Sequence, residues 1–220
     1  MCCCCNGSTT YGWVSAIGVV CSGVRDVDSV FWVQRSVASE QIMTLRPLPT
    51  DFVLRYSLSW REAVWAYDQG WIGSKVLTES ATRQLASDRH NASVEVELAG
   101  LLPLESIRAR DLAGEVASKE PPLSDEVIKS KWLYLILRWL FENREQAVDP
   151  FALIDELYTA FDYPAEIMPF VRYMPPEDGY DPSKHSQTEN YDRMLQHWRD
   201  YLIATEKRFG PSLTAGQGRD

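Results

Sequence analysis

Two pairs of adjacent carboxylates are the first feature of this sequence that could do chemistry. Asp155 is followed by Glu156, and Glu177 is followed by Asp178; two carboxyl groups can serve as general acid and general base. Neighbouring residues of a helix point about 100° apart, so Asp155 and Glu156 would not converge on one substrate. Neither pair has the aromatic context of a sugar-binding cleft. We therefore interpret both pairs as solvated charge, with Asp155 and Glu156 facing outward.

Motifs for nucleophilic catalysis, metal binding and phosphate binding are absent from the sequence. Residues 43–220 contain no cysteine, and no serine lies in a Gly-x-Ser-x-Gly turn. The three histidines (His90, His185 and His197) stand in polar or helical contexts, and we place His197 on a solvated helix face. No HExxH motif, calcium-loop spacing or glycine-rich phosphate loop occurs. We predict no catalytic residue, no metal site and no cofactor.

The charge of the chain narrows the class of partner. The 220 residues carry a formal charge of −9, with 45% hydrophobic and 24% charged residues, as is typical of a globular protein. Nucleic-acid binders need a basic surface, so we expect no nucleic-acid partner. The longest apolar run, Trp132 to Phe141, contains Arg138 and has about half the length of a membrane span. We expect no membrane segment.

The first 42 residues differ from the rest of the chain. They contain all five cysteines and no lysine, and no basic residue precedes Arg25, although a secretory signal begins with positive charge. We interpret residues 1–42 as a non-native or disordered N-terminal extension, with Met43 as the native start; a mobile extension of the natural protein is the alternative. Because no cysteine follows residue 42, we expect a reducing compartment and a cytoplasmic protein.

Hydrophobic periodicity predicts an all-α fold. We expect a single compact helical domain over residues 43–210 and a flexible tail at 211–220. The domain should contain about six helices, which begin near Ser59, Ser74, Pro103, Ser124, Asp149 and residue 187. Ser59 and Glu62 have the spacing of a capping box, and Ser124 and Asp149 are favourable N-caps.

Two stretches have patterns that also suit extended structure. Residues 51–58, "DFVLRYSL", could form one short N-terminal strand or an extended arm. Val94, Val96 and Leu98 alternate as they would in a strand, although their surroundings are helical.

The stretch "FVRYMPPEDGYDP", residues 170–182, combines aromatic residues, acids and prolines. It could complete the core, form a partner-binding surface or act as an active-site loop. We expect Phe170 and Tyr173 to point inward, because aromatic residues before a double proline commonly finish a core. The remaining side chains suit an interface. The predicted partner-binding residues are Glu177, Asp178, Tyr180 and Asp181.

Three long motifs resemble a known bacterial family. The motifs "SWREAVWAYDQGWIG", "KWLYLILRWLFENRE" and "DPFALIDELYTAFDYPAEIMPFVRYMPP" are similar to domain of unknown function 2247, and the resemblance covers about residues 52–203. That family has no established enzymatic activity, so no catalytic residue transfers. Its members look like proteins encoded beside polymorphic toxins and contact-dependent inhibition systems, which implies an immunity role.

The expected function is therefore that of a non-enzymatic bacterial binding protein, an immunity protein that neutralises a cognate toxin. The expected partner is a protein, with a basic toxin domain as the specific candidate, and the oligomeric state stays open. Two alternatives remain: a hydrolase or nucleotide-handling enzyme that uses clustered carboxylates, and a housekeeping adaptor. Three buried acids that converge in a deep pocket would favour the enzyme, whereas acids spread over a convex surface would favour binding.

Overall fold

The computed structural model describes residues 45–87, 93–102 and 105–211. The predicted N-terminal extension at 1–42 and the predicted tail beyond residue 211 lie outside these residues. The described helices run from Thr50 to Phe209 and belong to one compact unit.

The described part of the chain is all-α, as predicted, and its α-helices number eight rather than about six. They are α1 (Thr50–Val53), α2 (Trp60–Asp68), α3 (Ser74–Ala86), α4 (Ser93–Ala99), α5 (Ser106–Ser118), α6 (Asp125–Glu142), α7 (Pro150–Ala160) and α8 (Gln187–Phe209). Short 3₁₀ helices follow α6 (Arg144–Gln146) and α7 (Ala165–Phe170), and a third precedes α8 (Pro182–Lys184).

The strand predicted at the N-terminus is wrong, because the described residues contain no strand and residues 50–53 form α1. This short helix has no side-chain cap, but it buries Phe52 and Val53 in the core. The alternating stretch at Val94 to Leu98 lies in α4, which buries Leu98 and packs between α3 and α5. Burial against neighbouring helices therefore outweighs local periodicity in both stretches.

Capping residues explain where the longer helices begin. The Ser59 hydroxyl accepts from the Glu62 N–H, and the Glu62 carboxylate accepts from the Ser59 N–H at 2.8 Å, so the predicted capping box is confirmed. Ser124 and Asp149 also cap their helices as predicted. Ser74 does not cap α3, because Gly73 occupies the N-cap and Ser74 is the first helical residue.

Helix α6 is the centre of the core. It buries residues all around its circumference: Ile128, Trp132 to Leu137, and Leu140. Helices α2, α7 and α8 pack against it, while α2 to α5 pack on one another. A buried ion pair fastens α6 to α2, since the Lys131 ammonium lies 2.7 Å from the Glu62 carboxylate. The Trp132 indole donates to the Glu62 carbonyl in the same place.

Candidate functional site

A pocket of about 410 Å³ lies between α8 and the segment that leads into it, residues 165–182. We call it the methionine pocket, because Met168, Met174 and Met194 line it. Four prolines also contribute to its walls: Pro169, Pro175, Pro176 and Pro182. Charged and polar groups at the pocket include Arg172, Glu177, Asp178, Tyr180, Arg193 and His197.

Helix α8 supplies one wall of the pocket with a single face. Asn190, Arg193, Met194 and His197 line it and are spaced i, i+3, i+4 and i+7, so they share that face. The next residue, Trp198, is fully buried and packs its ring against Phe151 and Phe170. Helix α8 thus connects the pocket to the hydrophobic core.

Arg172 attaches the start of the loop, residues 171–181, to α7. Its guanidinium donates to Asp155 at 2.9 Å and to Asp149 at 2.7 Å, and its main-chain N–H donates to Asp155 at 3.2 Å. Asp149 also caps α7, where it accepts from two main-chain N–H groups. Both carboxylates are therefore occupied, and the arginine charge is neutralised within the protein.

Tyr180 fastens the far side of the loop to α8. Its hydroxyl donates to the side-chain oxygen of Asn190 at 2.7 Å, and Asn190 in turn donates to the Pro182 carbonyl at 3.0 Å. The guanidinium carbon of Arg193 lies 4.2 Å from the centre of the Tyr180 ring, and the His185 imidazole stacks on that ring at 4.4 Å. The loop therefore has a defined conformation beside the pocket.

The four predicted partner-binding residues have different surroundings. Glu177 is exposed at the pocket, and none of the described cations forms an ion pair with it. Asp178 is exposed but bound to Arg193. Tyr180 is half-buried in the contacts given above. Asp181 is also half-buried, accepts from the Ser183 N–H at 3.1 Å and lies outside the pocket lining.

Three placements differ from the sequence predictions. Tyr173 is 55% exposed rather than inward, and its ring meets the edge of Tyr158; Phe170 is buried as predicted. Asp155 does not face solvent freely, because its side chain is 19% exposed and pairs with Arg172. His197 is half-buried at the pocket rather than on a solvated face.

Asp178 and Asp181 of the loop and Glu189 of α8 have lowered pKa values because they accept hydrogen bonds in their ionised form. The Arg193 guanidinium, followed by the Tyr180 N–H, lowers the pKa of Asp178. The Ser183 hydroxyl and N–H, together with Lys184, lower the pKa of Asp181. The Ser186 N–H lowers the pKa of Glu189 in the capping box that begins α8. The loop conformation therefore favours ionised carboxylates.

The segment around the pocket is strongly acidic. Residues 155–181 contain seven acidic side chains and one arginine, a net charge of −6 out of −9 for the whole chain. Arg172, the one arginine, is already paired with Asp149 and Asp155. Lys129, Arg193 and Lys184 pair with Asp162, Asp178 and Asp181. The segment together with these three cations has a net charge of −3, so its field attracts cationic groups.

Sequence reasoning did not identify the α8 wall. The helical spacing of its four lining residues can be read from the sequence: Asn190, Arg193, Met194 and His197.

Within the described ranges, no group of three or more His, Cys, Asp or Glu side chains is arranged to hold a metal ion. The same ranges contain no helix that combines the length and the apolar character needed to cross a bilayer.

The described residues form an all-helical fold with an apolar-lined pocket beside α8. The chain belongs to the bacterial family described as "Uncharacterized protein conserved in bacteria (DUF2247)", whose family model matches residues 51–207. This match confirms the resemblance read from the three motifs. No curated protein matches the chain, and no solved structure matches it.

Proposed function

We propose that this chain is a non-enzymatic binding protein of the bacterial cytoplasm that neutralises a cognate toxin. The observation that carries the proposal is the apolar pocket beside an acidic segment, residues 155–181. The net charge of this segment is −6, or −3 together with Lys129, Arg193 and Lys184, which pair with three of its acids. Immunity proteins act by covering a functional surface of their toxin, and a toxin that acts on nucleic acid has a basic surface there. The resemblance read from the three motifs, whose family members look like proteins encoded beside toxins, supports the same proposal.

Binding would proceed in two physical steps. The acidic segment attracts a basic partner over a distance of about a Debye length, which raises the rate of association more than the final affinity. The partner then places apolar groups in the methionine pocket, where Met168 and Met194 provide deformable apolar walls. The loop is already fastened by Arg172 and Tyr180, so less conformational entropy is lost on binding.

The pocket contains two exposed acids, Glu177 and Asp178, rather than three buried ones. Asp178 is further engaged by Arg193. This geometry supports binding over the carboxylate chemistry that a hydrolase or nucleotide-handling enzyme would use.

The test is rescue from toxicity. Each gene that lies beside the gene for this chain would be expressed in a bacterial host, alone and together with the full chain. Growth and co-purification would be measured. We expect one gene product to arrest growth, and co-expression of the chain to restore growth through a stable complex. If no neighbouring product is toxic or none forms a complex with the chain, the proposal is wrong. The enzyme and adaptor alternatives would then be tested by substrate screening.

A further inference from the structure

All three methionines of the described residues lie at one pocket. Met168 comes from the 3₁₀ helix after α7, Met174 from the loop and Met194 from α8. An unbranched thioether side chain adjusts its shape at low cost, and surfaces that receive apolar side chains of varied shape are rich in methionine. The pocket is therefore suited to apolar side chains rather than to a rigid polar ligand.

The walls of the pocket disfavour a partner that adds as a β-strand. Pro169, Pro175, Pro176 and Pro182 line the pocket, and proline has no main-chain N–H to donate. Strand addition depends on main-chain hydrogen bonds along a sheet edge, whereas a helix in a groove depends on inserted side chains. In the described residues there is no strand to extend. Side-chain insertion from a helix fits these walls.

The charged residues at the pocket favour a partner with positive charge. Arg193 is bound to Asp178, and Arg172 is bound to Asp149 and Asp155. Glu177 is exposed at the pocket and forms no ion pair with any cation in the described ranges. The two arginines and two acids of the lining balance, and Asp149 and Asp155 beside Arg172 add negative charge. An approaching segment therefore meets a net negative field, which complements lysine and arginine side chains.

We propose that the methionine pocket receives the apolar side chains of a basic amphipathic helix, with lysine or arginine residues on that helix facing Glu177 and the acidic segment. The inference rests on the proposed function and specifies the chemistry of the partner. The volume of about 410 Å³ lies near the lower end for ligand pockets. The pocket therefore holds a few anchor side chains, spaced i and i+3 or i+4 on the partner, while the rest of the helix lies outside.

The test uses three synthetic 14-residue peptides and the full chain with ¹³C-labelled methionine methyl groups. The first peptide has leucine at helical i, i+3, i+4 and i+7 spacing and lysine elsewhere. The second replaces each lysine with glutamate, and the third keeps the composition of the first but alternates leucine and lysine. Spectra of single Met→Leu variants assign the signals of Met168, Met174 and Met194.

We expect the first peptide to shift all three methyl signals at low salt, the second to shift none, and the third to bind more weakly. The variant Glu177→Lys should bind the first peptide about fivefold more weakly, as expected for reversing one exposed charge contact. The matched variant Asp111→Lys changes an exposed acid on α5, a helix that packs on α2, α3 and α4. It should bind like the wild type.

The inference would be overturned if the first peptide does not shift the methyl signals, or if the glutamate peptide shifts them equally. Peptide binding that leaves the three signals in place would overturn it as well, because the peptide would then lie elsewhere. These results are separable from the growth test. If growth is rescued but the methionine methyl signals do not shift, the proposed function still holds and the helix-binding inference is wrong. If the signals shift but growth is not rescued, the immunity role is wrong and the pocket still binds a basic helix.

Discussion

The hydroxyl group of Tyr180 donates a hydrogen bond to the side-chain oxygen of Asn190 at 2.7 Å. This bond connects the loop to α8. Asn190 adds a second connection by donating to the Pro182 carbonyl. The loop is thus held against the helix that lines the methionine pocket and, through Trp198, reaches the core.

Removing the Tyr180 hydroxyl should loosen the loop without removing the ring. Tyr180→Phe keeps the ring contacts with Arg193 and His185 but leaves Asn190 without its donor. We expect the free energy of unfolding to fall by about 1 kcal/mol, measured by urea denaturation. Tyr191→Phe, on α8, is the control, since no hydrogen bond is found for its hydroxyl within the described part of the chain. Equal effects of the two substitutions would contradict the role assigned to Tyr180.

The ion pair between Glu62 and Lys131 should matter more than the ion pairs at the surface. Their side chains are 7% and 13% exposed. Glu62→Gln leaves the buried Lys131 ammonium without a counter-charge, and we expect the free energy of unfolding to fall by about 3 kcal/mol. Guanidinium denaturation would measure this change.

The control for that prediction is Glu79→Gln, which breaks the exposed pair with Lys75 and should cost less than about 0.5 kcal/mol. Adding Lys131→Met to Glu62→Gln should recover part of the loss, because no charge then stays buried. Similar losses for Glu62→Gln and Glu79→Gln would show that the buried pair has no special role.

Glu120 caps α2 from the linker between α5 and α6. Its two carboxylate oxygens accept from the N–H groups of Trp60 and Arg61 at 3.0 and 3.1 Å, where the positive end of the helix dipole favours negative charge. We expect Glu120→Ala to lower the free energy of unfolding by about 1 kcal/mol. Thermal denaturation of this variant beside Glu115→Ala, which removes an exposed pair with Lys119, would check it. A loss no larger than that of Glu115→Ala would rule out the capping role.

The attachment of the loop should depend on pH. Arg193 lowers the pKa of Asp178 in the folded protein, so the ionised carboxylate contributes stability above the pKa of the unfolded chain. That contribution is lost as the pH falls through the lower, folded pKa. We expect loop signals in NMR spectra to change below about pH 4 while the core signals persist.

A carboxyl ¹³C titration of Arg193→Gln provides the control for the pH prediction. The pH at the midpoint of the Asp178 carboxyl titration should rise in this variant. The midpoint of Asp181 should stay in place, because the Ser183 hydroxyl is the largest cause of its lowered pKa. An unchanged midpoint for Asp178 would show that Arg193 is not the cause.

The sequence predicts the long helices well and the short ones poorly. The caps at Ser59, Ser124 and Asp149 are local signals, and each was confirmed. Helices α1 and α4 have four and seven residues, too few to be stable alone, so burial against other helices decides their conformation. Such burial cannot be read from local periodicity, which is why strand-like patterns were misleading there.

The candidate site shows the same limit. The acidic and aromatic composition of residues 170–182 indicated a surface feature, and helical spacing could have added Asn190 and Met194. The contacts that orient the loop join distant residues without a regular spacing: Arg172 reaches back 17 residues to Asp155 and 23 to Asp149. Tyr173 was misplaced because its neighbours along the chain gave no indication of these contacts.

The most direct test of the proposed function uses the toxin identified in the growth test. Its affinity would be measured at low salt for the wild-type chain, Glu177→Lys and Asp111→Lys. We predict that Glu177→Lys weakens binding about fivefold and leaves the melting temperature unchanged, because no described cation pairs with Glu177. Asp111→Lys changes the net charge equally and should bind like the wild type. Equal affinities for all three forms, or equal weakening by both substitutions, would contradict a binding surface at the methionine pocket.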